Sequence, residues 1–205
     1  MKINIIIPYK EDRGYLKESI DSVYRSIKDN NTYCLSLVKG NKSLSKNFNE
    51  GLRQAVLYGF EFVKMHHDDD LLTENALTDL HNAADGYDIV IANAINFTET
   101  SSTIIKSSYH SVKSLLADNT IHGSTVLYRT SALEAVGGMS EDLITGEEYD
   151  LNIRLLLNGA KLTYLDKVVC KYRIHDKQKS LNYLDFNSRL ERKMYIESNI
   201  INKYR

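Results

Sequence analysis

The stretch EFVKMHHDDDLL, residues 61–72, decides how the chain is read. An apolar-biased run, Phe62-Val63-Lys64-Met65, stops at two imidazoles, His66 and His67, and then at three successive carboxylates, Asp68, Asp69 and Asp70. Adjacent carboxylates repel by about 1 kcal/mol per pair in water and several-fold more near a protein surface. Holding three of them at a strand end requires full solvation or a cation. One reading is a divalent metal, Mn²⁺ or Mg²⁺, held by oxygen and imidazole ligands. The other is a solvated turn leading into a helix, where Asp is common. These twelve residues leave both open, and their surroundings decide.

Working outward, Ile3 to Ile7 is a continuous apolar run of the kind buried on both faces of a parallel sheet, and Pro8 ends it. Leu16, Ile20, Val23 and Ile27 recur at helical spacing, which predicts a helix from Gly14 to Lys28. Tyr33 to Val38 reads as a strand, residues 39–43 as a loop, and Ser45 to Tyr58 as a helix stopped by Gly59. The acidic strand follows, then a helix marked by Leu77 and Leu80 and a strand from Asp88 to Ala94. This alternation predicts an α/β fold with a mostly parallel central sheet and helices on both faces. Ligands in such sheets collect at the carboxyl ends of strands, and the loops after Ile7, Val38 and His66 share that edge.

Residues 96–120 have weak periodicity and many Ser and Thr, with a helical patch at Val112 to Ala117, and are expected to form an excursion over the site. Thr125 to Arg129 reads as a strand and Ser131 to Val136 as a short helix. A further helix opens at Glu147-Glu148-Tyr149-Asp150 and stops at Gly159, and Leu162–Leu165 and Val168–Tyr172 are strand-like. Carboxylates suit a helix's first turn, so Glu147 and Glu148 need no chemistry to explain them. The tail from Asn182 is charged, with Leu184, Leu190, Met194 and Ile201 at roughly helical spacing. It is expected to dock on the domain or on a second copy, giving a possible homodimer.

The 205 residues suffice for one domain burying roughly 70% of its unfolded surface. A net charge of −1 gives no reason to require nucleic acid or an anionic membrane. Cys34 and Cys170 lie in apolar runs and are expected to be free, buried thiols. The N-terminal apolar run is too short for a signal peptide, and no later run approaches about 18 apolar residues. The expectation is a soluble, cytoplasmic protein.

Six segments, in order, resemble family 2 glycosyltransferases of the GT-A fold. These are INIIIPY (3–9), SLSKNFNEGL (43–52), HHDDDLLTENAL (66–77), GSTVLYRTSALEAVGG (123–138), GEEYDLNIRLLLNG (146–159) and YRIHDKQKS (172–180). The resemblance implies a GT-A domain over residues 1–180, with a nucleotide-sugar half (1–95) and an acceptor half (96–180), before a helical tail (181–205). It also implies a nucleotide-diphosphate sugar donor, a divalent metal and transfer with inversion. Position by position, Asp69 and His175 would hold the metal and Glu148 would be the base, with Glu147 as alternate. Pro8, Tyr9 and Glu11 would border the nucleoside. His67 takes the place of the ribose-side Asp, and Asp68 and Asp70 flank the metal carboxylate. Lys46 or Arg154 would be a second cation on the diphosphate. One departure is plain: the second strand ends Lys39-Gly40-Asn41-Lys42-Ser43, where the family has Asp-Asp-Gly-Ser with its uracil-reading carboxylate.

Two other classes use similar residues. A metal-dependent nucleotidyltransferase or phosphodiesterase would want a second metal or an NTP-gripping loop, and no GxxxxGK, GxGxxG or HExxH is present. A catalytically inactive sugar-nucleotide-binding module would fit the altered uracil loop. The acceptor (glycan, lipid-linked sugar, protein or modified nucleobase) is left open.

Overall fold

A computed structural model describes residues 2–27, 33–40, 43–176, 178 and 186–205. The expected helix end at Lys28, loop residues Asn41 and Lys42, Lys177, Lys179 and Ser180 of the closing segment, and residues 182–185 of the tail lie outside them. Strands are β1 (Ile3–Tyr9), β2 (Tyr33–Lys39), β3 (Phe62–Met65), β4 (Leu71–Leu72), β5 (Ile89–Phe97), β6 (Ser102–Ile105), β7 (Leu127–Arg129) and β8 (Leu162–Arg173). The helices that matter below are α1 (Leu16–Ser26), α2 (Leu44–Leu57), α3 (Ala76–Ala83), α4 (Val112–Ala117), α5 (Thr130–Ala135), α6 (Glu147–Leu157) and α7 (Phe186–Ile196).

The sheet order is β2-β1-β3-β7-β5-β8-β4, with β6 paired to β5. Its long ladders, β1–β2, β1–β3 and β5–β8, are parallel, while β7, β4 and β6 pair antiparallel over short stretches. The fold is therefore α/β with a mostly parallel sheet, as the alternation of runs predicted. Two short strands, β4 and β6, and the direction of the expected strand at Thr125–Arg129 were not foreseen. β4 is a two-residue strand directly after the acidic turn, β6 makes a hairpin with β5, and β7 runs against its neighbours. The two strand-like runs near the end are one strand, β8, whose register against β5 shifts at Asn93.

Period-2 alternation builds two core layers. Ile6, Val63, Met65, Ile89 and Ile91 face the layer containing Phe48 and Leu52 of α2, Leu133 of α5, and Leu151 and Leu155 of α6. Ile3, Ile5, Ile7, Phe62 and Val90 face Val23 of α1 and Leu77 and Leu80 of α3. A lysine is buried within this frame. The Lys64 ammonium donates to the Met65 and Ser124 carbonyls at 2.7 and 2.6 Å. Full burial nevertheless lowers its pKa to about 8.

The tail docks on its own domain. Ile200 is fully buried with α6, the Tyr204 hydroxyl donates to Asp150 Oδ1 at 2.7 Å, and Arg192 Nε donates to Thr145 Oγ1 at 3.0 Å. β5 runs across the expected boundary at residue 95 and pairs with β8, so the two halves share one sheet. Cys34 is half-buried and Cys170 buried, both free. No helix among the described residues is long and apolar enough to cross a membrane.

Candidate active site

Five strands, β1, β2, β3, β5 and β8, point their carboxyl ends to one edge, and a cleft of about 1070 Å³ opens there. Its floor includes Pro8 and Tyr9 at the end of β1, Glu11 just beyond it, and His67, Asp68 and Asp69 after β3. The excursion lines it through Ile105, Lys106 and residues 118–122, and Glu147 and Glu148 line it from the start of α6. The excursion thus lies where its irregular sequence placed it.

The acidic turn resolves into three different carboxylates. Asp69 Oδ2 meets His175 Nε2 at 3.1 Å and receives a hydrogen bond from Arg13 Nη2 at 2.7 Å. The same Arg13 nitrogen donates to Asp68 Oδ1 at 2.7 Å. Burial raises the Asp69 pKa, but the charges of His67 and Arg13 and the His175 contact outweigh it, leaving the carboxyl below its ordinary value. Asp68 goes the other way: burial outweighs Arg13 and raises its pKa. Asp70 turns inward. It is fully buried, accepting from Ser124 Oγ at 2.8 Å and the Arg173 backbone N–H at 3.1 Å, and burial pushes its pKa up to about 6. Asp70, expected to flank the metal carboxylate, does not line the cleft, because its oxygens tie the turn to Ser124 and β8.

His175 is positioned from several sides. Its ring lies 4.5 Å from that of Tyr15, and its backbone N–H donates to Gln178 Oε1 at 2.7 Å. Arg173 Nε donates to the Asp69 carbonyl at 2.9 Å, and its guanidinium stacks on Tyr15 and Phe97, each 4.8 Å away. Asp69 and His175, 106 residues apart, thus converge. Two donors about 2.1 Å from one octahedral ion, at right angles, sit about 3 Å apart, which is their spacing here. The same 3.1 Å separation serves here as a hydrogen bond between them. Among the described residues, no group of three or more His, Cys, Asp or Glu side chains could hold a metal ion unaided.

Gly146 (φ +79°) turns the chain into α6. Glu148 then reaches back to His67, Oε1 to Nε2 at 3.0 Å. Burial disfavours the imidazolium, but the Glu148 carboxylate, backed by Asp70 and Asp69, pushes the His67 pKa up to about 10. Gly123 lies against this pair, and a Cβ there would overlap the Glu148 carboxylate. The resemblance puts His67 at the ribose-side position, and its ring is hydrogen-bonded to Glu148. Glu147 lines the cleft but is only 5% exposed.

Other expected cations lie elsewhere. Lys46 is exposed on α2, outside the cleft lining, where the helix's N-terminal turn carries it to solvent. Arg154 is bonded to Asp150 Oδ2 and the Val136 carbonyl, both at 2.7 Å, and braces α6 instead. His66 is buried in the sheet, its pKa lowered well below that of free imidazole, first by burial. The Tyr149 hydroxyl bonds the Leu115 carbonyl at 2.7 Å, tying α6 to α4. Arg13 was missed. Nothing in the sequence singled it out from Lys10 in the same turn after β1.

No protein-family model matches the chain, and no curated protein matches its sequence. Solved structures do match. S. aureus TarS residues 1–349 in complex with UDP-GlcNAc superposes with a TM-score of 0.68 at 17% identity, covering 87% of this chain and 60% of that one. The same TarS fragment with UDP gives 0.69 at 17%, covering 85% and 61%. A longer TarS structure gives 0.69 at 16%, covering 85% and 37%. The likeness is one of fold. This chain spans about 60% of the length of the TarS 1–349 structures.

Proposed function

We propose that the protein is a metal-dependent, inverting glycosyltransferase of the family 2 type, taking a sugar from a nucleotide-diphosphate donor to an acceptor hydroxyl. The observation that carries this reading is that Asp69, paired with His175, and Glu148, paired with His67, both line a single cleft. The TarS complexes with UDP and UDP-GlcNAc support it, since the same fold holds a nucleotide sugar there.

In this reading Pro8, Tyr9 and Glu11 border the nucleoside, and Asp69 and His175 hold the ion. A bound Mn²⁺ or Mg²⁺ would neutralise charge developing on the departing diphosphate. Glu148 takes the acceptor's O–H proton as the acceptor oxygen bonds to the anomeric carbon. The C–O bond to the diphosphate breaks, its electron pair leaving on the phosphate oxygen. Attack from the face opposite that bond inverts the anomeric centre. His67, held in its charged form, bonds Glu148 Oε1 and orients the carboxylate that serves as the base. Proton abstraction of this kind contributes typically about 10²–10⁴-fold.

The test is a panel of UDP-, GDP- and ADP-sugars with Mn²⁺, followed by product analysis. Slow, Mn²⁺-stimulated release of nucleoside diphosphate is expected. Release of pyrophosphate or nucleoside monophosphate instead would overturn the assignment, and binding without turnover would reduce the protein to a sugar-nucleotide receptor.

A further inference from the structure

Arg13 carries a consequence beyond that reading, although it rests on it. We propose that Arg13 is a resident cation of the donor site. Its guanidinium covers the carboxylates that receive the metal, and donor binding transfers it from them to the diphosphate.

The contested atom is Asp69 Oδ2. Arg13 Nη2 holds it at 2.7 Å, on the same oxygen that His175 approaches at 3.1 Å, while bridging to Asp68 at 2.7 Å. The side chains of Asp68 and Asp69 are only 13% and 14% exposed, so water alone screens them poorly. A successive pair of such carboxylates requires a counter-ion when no ligand is bound, and Arg13 supplies it. An ion bound at Asp69 Oδ2 must therefore displace a charge-assisted hydrogen bond and leave the guanidinium without its anion.

Diphosphate removes that penalty. A guanidinium matches phosphate oxygens as well as carboxylate, with two parallel N–H donors. Arg13 lines the cleft on the turn between β1 and α1, where the Gly14 N–H donates to Asp12 Oδ1 at 2.7 Å. A swing of the side chain needs no repacking of the sheet. Metal and nucleoside diphosphate then bind with positive coupling, because each makes the other's arrangement of Arg13 the favoured one. Electrostatic replacement of one cation by another thus orders the two ligands.

The signature is a split in sign. In Arg13→Met, Mn²⁺ alone should bind about tenfold more tightly, because the competitor is gone. In the same variant, nucleoside diphosphate at saturating Mn²⁺ should bind about tenfold more weakly, because its guanidinium is gone. Calorimetry with Mn²⁺ alone, and with UDP, GDP or ADP at saturating Mn²⁺, reads both. Thermal melts report folding, and Arg13→Lys, which keeps the charge without the fork, should show the same split at smaller amplitude and serves if Arg13→Met does not fold. Shifts of both affinities in one direction, or no shift in either, overturn the inference alone. A wild-type protein that binds Mn²⁺ but none of the three nucleotides overturns the donor-site reading and this inference with it.

Discussion

Replacing Gly123 by alanine should disable the site without touching any group that reacts. The backbone at Gly123 does not need a positive φ, so alanine fits the chain locally. The added Cβ, however, would sit 2.6 Å from the Glu148 carboxyl carbon. Non-bonded carbons settle at about 3.5 Å, so the carboxylate must retreat by about 0.9 Å. That movement breaks the 3.0 Å contact to His67 and withdraws the base from the acceptor proton. Misplacement by about 1 Å costs about 10²-fold, or roughly 2.7 kcal/mol in the barrier. The assay is nucleoside diphosphate release at saturating donor, beside a calorimetric donor Kd and a melt. The expected result is turnover down about a hundredfold, donor Kd within about twofold and an intact fold. Since both changes act on one carboxylate, Gly123→Ala on top of Glu148→Gln should add little further loss. A folded, donor-binding Gly123→Ala protein with wild-type turnover would refute the placement of Glu148 as base.

Glu148→Gln itself should keep donor binding and lose about a hundredfold or more in turnover, and if Glu147→Gln shows that loss instead, the base moves one residue. Asp69→Ala should abolish Mn²⁺-dependent donor binding in calorimetry, and unchanged Mn²⁺ affinity would remove Asp69 as the charged ligand. Lys64 gives a pH test far from turnover. Its folded-state pKa, about 8, lies below the ordinary 10.5, so the native state sheds its proton first and stability rises with pH between those values. Relative to Lys64→Met, the wild type should gain about 3 kcal/mol across that window in urea melts. Parallel curves would show that the buried ammonium is not destabilised.

The sequence disclosed the frame because continuous apolar runs and helical spacing report burial directly, as in Ile3–Ile7 and in Leu16, Ile20 and Val23. It also put the loops after Ile7 and His66 on one edge, since strand ends are readable from where the runs stop, and Pro8, Tyr9, Glu11 and Asp69 line the cleft there. What it hid depends on contacts across the chain. Asp68, Asp69 and Asp70 are chemically equal on paper, and only Arg13, His175 and Ser124, arriving from other elements, separate them. The pairing of His67 with Glu148 spans 81 positions and leaves no local trace. β4, two residues long, is too short for periodicity to register.

The position of β8 has a further effect during biosynthesis. This strand is wedged between β5 and β4, and its far end delivers Arg173 and then His175 to the acidic turn. Polypeptides grow at about 5–20 residues per second, so the first five strands leave the ribosome many seconds before the keystone arrives. Until it does, β5 has an unprotected margin, a template for aberrant association with other nascent chains. A polypeptide interrupted before residue 162 would keep much of its scaffold yet have no competent pocket, so occupancy by ligand certifies that translation went through to the closing strand.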